Sequence, residues 1–143
     1  MEGNNVRELL RVLFRSLGLL EEVQTKCCDL TLSQCHTLVE LGREGSLSVN
    51  DLAERLELDK STTSRHVQSL VKKNMLTRKE SEHDRRYLEL VLTEEGKETY
   101  NTIENNMKDY YDVVFDAIPS DKKEQVIESL EILVESIKKT GCC

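Results

Sequence analysis

The chain has 143 residues, 38% of them hydrophobic and 33% charged, with no tryptophan and a formal net charge of −7. That length suits one domain with a real core, and the scarcity of aromatics makes the core aliphatic. No run of about eighteen apolar residues occurs, so no membrane-spanning helix and no membrane partner are expected. Charges interrupt the apolar pattern of the N-terminal MEGNNVRELLRVLFRSLG, which argues against a signal peptide and for a cytoplasmic protein.

A first helix is expected over Val6–Cys28, with Val6, Leu9, Leu10, Leu13, Leu17 and Leu20 as its stripe and Phe14 adjoining. A second begins after Thr31, whose hydroxyl can cap it, with Gln34 as the capping-box partner. Leu32, Cys35, Leu38 and Val39 should face inward, and Gly42 to Gly45 should end the helix. Leu47 can add a short third strand to the sheet that follows. Ser48 can cap a third helix, with Asp51 three residues on to close a capping box, and Val49, Leu52, Ala53 and Leu56 mark its apolar face.

After Glu57-Leu58, Asp59 is the N-cap of a fourth helix in which Thr63, Val67, Leu70 and Val71 have core spacing. Ser61, Thr62, Arg65, His66, Gln68 and Ser69 are left facing out. A surface helix usually carries Glu and Lys there, whereas this one offers hydroxyls, an amide, an imidazole and one arginine. No acid occurs between Lys60 and Lys79. Short donors at a helix N-terminus let the backbone approach a phosphate. Arg65 can meet a guanine edge bidentately, and Ser, Thr and Gln can serve adenine or phosphate. The bland alternative is an ordinary hydroxyl-rich polar face.

Two strands follow. Leu76, Arg78 and Glu80 alternate with Thr77 and Lys79, and Leu88, Leu90 and Leu92 alternate with Glu89 and Val91. Between them lies SEHDRR, Ser81 to Arg86, with no apolar residue. A hairpin tip ending in Asp84-Arg85-Arg86 suits a wing that puts cations into a minor groove or along a phosphate strand, with Asp84 orienting one arginine. A net charge of −7 is unusual for a nucleic-acid binder, but distribution decides. From Asp59 to Arg86 stand Lys60, Arg65, Lys72, Lys73, Arg78, Lys79, Arg85 and Arg86 against four acids. That segment is +4, which leaves −11 for the rest.

Thr93 caps a long helix from Glu94 to about Ala117, in which Tyr100, Ile103, Met107, Tyr110, Val114 and Ile118 form a near-heptad stripe. Pro119 breaks the chain, Ser120 caps, and a last helix carries Val126, Ile127, Leu130, Leu133, Val134 and Ile137. Three such helices have more apolar face than the short central segment can cover. A second copy related by two-fold symmetry would cover it. A monomeric helical bundle is the alternative.

LTLSQCHTLVEL, DKSTTSRHVQSLVKKNML, DRRYLELVLTEEG and AIPSDKKEQVIESLEIL together resemble the MarR family of winged-helix transcription regulators, in the order that family uses. The fold this implies is mainly α with a small β-wing. It would be a single domain over residues 1–143, with 31–93 the winged helix-turn-helix and 1–30 and 94–143 the helical dimerisation region. The resemblance implies a homodimer on double-stranded DNA, usually a repressor of a palindromic operator released by a small molecule or a thiol event. By position the family's contacts fall on Ser61, Thr62, Ser64 and Arg65, and its wing arginine on Arg85 or Arg86. His66 stands where the family usually has an apolar residue, and either contacts a base or is an exposed ring. Gln68 completes the outward set. The rival reading is a winged helix that binds protein and has no operator.

The cysteines are the least ordinary feature: Cys27-Cys28, Cys35 and Cys142-Cys143. In a cytosolic chain these are not expected to be structural disulfides. Cys35 stands where related proteins have a bulky apolar residue, so one reading is a small buried hydrophobe. The other gathers Cys27, Cys28, Cys35 and His36, with Cys142 and Cys143 in reach, as sensor thiols or as ligands for Zn²⁺, Cu(I) or As(III). No CxxC spacing supports a structural zinc, and no cofactor is required. No enzymatic motif is present: GxGxxG, P-loop, GxSxG and HExxH are all missing, and His36, His66 and His83 lie on different elements.

Overall fold

Side-chain caps set the starts of four helices. In the computed structural model, residues 2–141 are described, the side chains of 19–27 excepted. The elements are α1 (Glu2–Cys28), α2 (Leu32–Glu44), α3 (Val49–Leu56), α4 (Lys60–Lys72), β1 (Leu76–Glu80), β2 (Leu88–Leu92), α5 (Glu94–Ala117), a 3₁₀ turn (Ser120–Lys122) and α6 (Lys123–Thr140). The full capping box forms at α2: Thr31 Oγ1 accepts from Gln34 N, and Gln34 Oε1 accepts from Thr31 N. At α3 only half of the expected box forms: Ser48 Oγ accepts from Asp51 N, with no return bond to the Asp51 carboxylate among the described residues. Thr93 Oγ1 accepts from Gly96 N.

Two boundaries differ from expectation. α1 starts at Glu2, a turn before the apolar stripe begins. Ser120 does not cap α6: it opens the 3₁₀ turn behind Pro119, and α6 starts at Lys123 without a side-chain cap.

The chain divides into two compact units, Met1–Glu104 and Asn105–Cys143. The first holds the core: Leu38, Leu41, Leu52, Val67, Leu70 and Leu90 have no solvent exposure, and Cys35, Leu76 and Ile103 have 1–2%. This aliphatic set joins α2, α3 and α4 to the sheet and the start of α5. Leu32, Val39, Val49, Leu56 and Val71, expected inside, are half-buried at its margin. The hydroxyls of Thr37 and Thr63 are buried but bond to backbone carbonyls one turn back, so neither is an orphan.

β1 and β2 pair antiparallel with Leu76 opposite Leu92 and Glu80 opposite Leu88. Leu47 makes only a single bridge to Leu90, short of the third strand expected there, so the sheet has two strands among the described residues. Gly96 lets α5 begin against the loop entering β1, since a Cβ there would sit 1.9 Å from Met75 O. Gly45 ends α2 at φ +86°, a conformation that glycine adopts without steric cost.

In the second unit, the end of α5, the 3₁₀ turn and α6 leave Val113, Ile132 and Ile137 more than half exposed. Lys123 stacks its ammonium 4.7 Å from the Phe115 ring centre, and Tyr110 and Tyr111 pack edge to face. α1 likewise exposes Leu9 and Phe14, at 72% and 65%. No helix among the described residues is long and apolar enough to cross a membrane.

Candidate nucleic-acid interface

Burial of Thr63, Val67 and Leu70 fixes the rotation of α4, and hence which side chains it presents. Ser61, Arg65 and Gln68 are exposed, while Thr62, Ser64 and His66 are half-buried. Ser69 does not face out as expected. Its hydroxyl accepts from Nε2 of Gln34, which ties α2 to α4 and satisfies the buried Gln34 amide.

The start of α4 is a hydrogen-bonded row. Asp59 Oδ1 accepts from Thr62 N at 2.7 Å, and Asp59 Oδ2 accepts from Thr62 Oγ1 at 2.8 Å. Thr62 Oγ1 in turn accepts from Arg65 Nη2 at 3.2 Å. The backbone and hydroxyl bonds from Thr62 hold the Asp59 carboxyl below its ordinary range, with a smaller contribution from the Arg65 charge. The Thr62 amide, one of the free donors a helix N-terminus could turn to a phosphate, is thus taken by a carboxylate. Asp59 would also repel a phosphate at that end. Asp59 is therefore more than a cap, and Thr62 more than a surface hydroxyl. The three-residue spacing of Asp59, Thr62 and Arg65 was the signal for the row.

The wing tip is held by its own turns. Ser81 N donates to Tyr87 O and Tyr87 N to Asp84 O, closing the loop. Ser81 Oγ accepts from His83 N and donates to Glu89 Oε1. Asp84 orients Arg86: its Oδ1 accepts from Arg86 N at 3.0 Å and Nε at 3.1 Å, and its Oδ2 from Nη2 at 2.9 Å. These bonds hold the Asp84 carboxyl below its ordinary range and push the Arg86 guanidinium up, while 85% of the Arg86 side chain stays exposed. Arg85 is exposed and has no side-chain hydrogen bond or ion pair among the described residues. Tyr87, at 61% exposure beside these arginines, was not singled out from the sequence.

The two cysteines whose side chains are described differ in exposure. Cys35 is buried at 2%, Cys28 is half-buried, and His36, next to Cys35, is exposed on another side of α2. The side chain of Cys27, and Cys142 and Cys143, lie outside the described residues. Among the described residues no group of three or more His, Cys, Asp and Glu is placed to hold a metal ion.

The MarR family model matches residues 29–86, from the turn before α2 through Arg86. The transcriptional regulator SarZ of Staphylococcus epidermidis is 31% identical over 107 residues, covering 73% of this chain and 70% of SarZ. The transcriptional repressor MdtR of Bacillus subtilis is 32% identical over 95 residues, covering 65% of this chain and 60% of MdtR. The chain therefore spans less than two thirds of MdtR. Streptococcus pneumoniae FabT, solved in complex with DNA, superposes with a TM-score of 0.88 at 20% identity, over 96% of this chain and 99% of FabT. With its winged helix and these relatives, which are regulators and not enzymes, the chain belongs to the MarR family of transcriptional regulators.

Proposed function

We propose that the chain binds double-stranded DNA as a homodimer, represses from a palindromic operator, and lets go on a chemical signal. The observation that carries DNA binding is the acid-free run from Lys60 to Lys79, which gives α4 a face of hydroxyl, amide and guanidinium groups beside a cationic wing. On this reading Ser61, Ser64, Arg65 and Gln68 meet base edges or phosphates in the major groove, with His66 at the margin. Arg85 and Arg86 grip the flanking backbone or minor groove. Acid elsewhere on the chain turns DNA away from other faces. FabT, solved with DNA, supports the binding, and MdtR, named a repressor, supports the output.

Two-fold pairing is supported by apolar side chains that one copy leaves in water. These are Leu9 and Phe14 in the first unit, and Val113, Ile132 and Ile137 in the second. A dimer also suits two half-sites about one helical turn apart.

Two routes are open for the signal. An open groove of about 420 Å³ in the first unit is lined by Leu41, Val91, Lys79, Lys97, Tyr100 and Asn101. Its two ammoniums over an apolar floor suit a small organic anion. The buried Cys35 fits packing better than sensing, so a thiol or soft-metal route rests on Cys27, Cys28, Cys142 and Cys143. Replacing Cys27 and Cys28 with Ser should abolish release by arsenite or peroxide; normal release assigns the signal elsewhere.

Fluorescence anisotropy on DNA from upstream of the chain's own reading frame tests the core proposal. Expected are saturable binding by a dimer and log affinity falling linearly with log salt. A monomer in sedimentation, or no binding at low salt, leaves a protein-binding winged helix as the function.

A further inference from the structure

We infer that Thr62 is a positioning residue for Arg65, set by Asp59, and not a hydrogen-bond donor to DNA. The inference rests on the proposal that Arg65 reads bases. A threonine hydroxyl has one proton and two lone pairs. The Thr62 proton goes to Asp59 Oδ2 at 2.8 Å, and a lone pair receives Arg65 Nη2 at 3.2 Å. Nothing is left to donate to a phosphate oxygen or a base acceptor unless the link to Asp59 breaks. Arg65 spends one of its five N–H donors on Thr62 and keeps the rest for a guanine edge.

The row also explains why a neutral group stands between carboxylate and guanidinium. Bonded directly to Asp59, Arg65 would have its fork occupied, as Arg86 has on Asp84. Through Thr62 it is aimed while its charge stays uncompensated by a contacting carboxylate. A long side chain aimed before binding loses less conformational freedom on the DNA, and a wrong base meets a guanidinium already biased toward one position.

Thr62→Val keeps the shape and the backbone amide that Asp59 caps, but removes the hydroxyl. Thr62→Ser keeps the hydroxyl. The first readout is the order parameter of the Arg65 Nε–H in the free protein, which should fall in Thr62→Val and stay at the wild-type level in Thr62→Ser. The second is base preference, measured on a duplex selected by the wild-type chain from a randomised library and on its single-base variants. Thr62→Val should lower the preference at the Arg65 position by roughly three- to tenfold, Thr62→Ser should keep it, and Thr62→Val should add nothing in an Arg65→Ala background. An unchanged order parameter, or a Thr62→Val loss that persists undiminished without Arg65, overturns the positioning role. Loosened Arg65 with base preference intact overturns the role of Thr62 in recognition, and the Arg65→Ala variant alone then shows whether Arg65 is the reader.

Discussion

The recognition helix and the wing each offer arginine to DNA, but they hold it in opposite ways. α4 is seated on the core through Val67 and Leu70, neither exposed, and Arg65 is braced through a neutral hydroxyl. The wing tip has no apolar anchor: residues 82, 83 and 85–88 are exposed, and the loop is closed by turn hydrogen bonds. Its Arg86 is clamped directly on a carboxylate. The Arg86 side chain is 85% exposed, so water screens the pair and Arg86 can exchange Asp84 for a phosphate. A rigid reader beside an adaptable grip divides specificity from affinity.

The largest test of that contrast is on stability. Leu70→Ala should cost about 2–5 kcal/mol in a denaturant melt, because it opens a cavity under α4. Leu88→Ala, at a site half exposed near the wing tip, should stay within about 0.5 kcal/mol. Comparable losses would mean that the wing is seated as firmly as the helix. Next comes Arg65→Ala, which should cost about 1–3 kcal/mol on a preferred site and relax base preference there. An equal loss on every sequence would make Arg65 a phosphate contact and remove the contrast.

What the sequence disclosed follows the range of the interactions involved. The caps at Thr31, Ser48, Asp59 and Thr93 and the alternation of Leu90 and Leu92 are local signals, and the helices and wing follow from them. Asp84 as the orienting group for an arginine was legible too, since it lies two residues from Arg86. Ser69 was misplaced because its partner, Gln34, is distant in sequence: a buried amide must find a donor or acceptor, and periodicity does not say where. Ser120 failed as a cap because Pro119 leads into a 3₁₀ turn that already satisfies the chain's direction change. The Asp59–Thr62–Arg65 row was written in the spacing, but each residue had already been assigned a separate task.

A smaller effect is expected from Arg86→Ala. It should weaken binding about equally across sequences and reduce the salt slope by about 1, since one phosphate contact is lost. An unchanged slope in fluorescence anisotropy would take Arg86 off the backbone and leave the grip to Arg85.

The smallest effect concerns pH. Asp59 and Asp84 are both held below the ordinary 3.8 of an aspartic acid, by bonds from Thr62 and Arg86 respectively. A depressed carboxylate contributes its stabilisation fully above the ordinary value and loses it only as pH falls through the lower folded value. Both braces therefore stay charged at every pH above the ordinary range, and neither should impose a slope on DNA affinity between about pH 5 and 8. A histidine is the side chain that ordinarily changes charge in that window. If affinity at constant salt is flat, the half-buried His66 ring stands beside the contact and takes no part in it. If it falls as pH rises and the fall disappears in His66→Gln, the imidazolium joins Arg65, Arg85 and Arg86 as a cation of the interface, and α4 itself carries part of the phosphate grip assigned here to the wing.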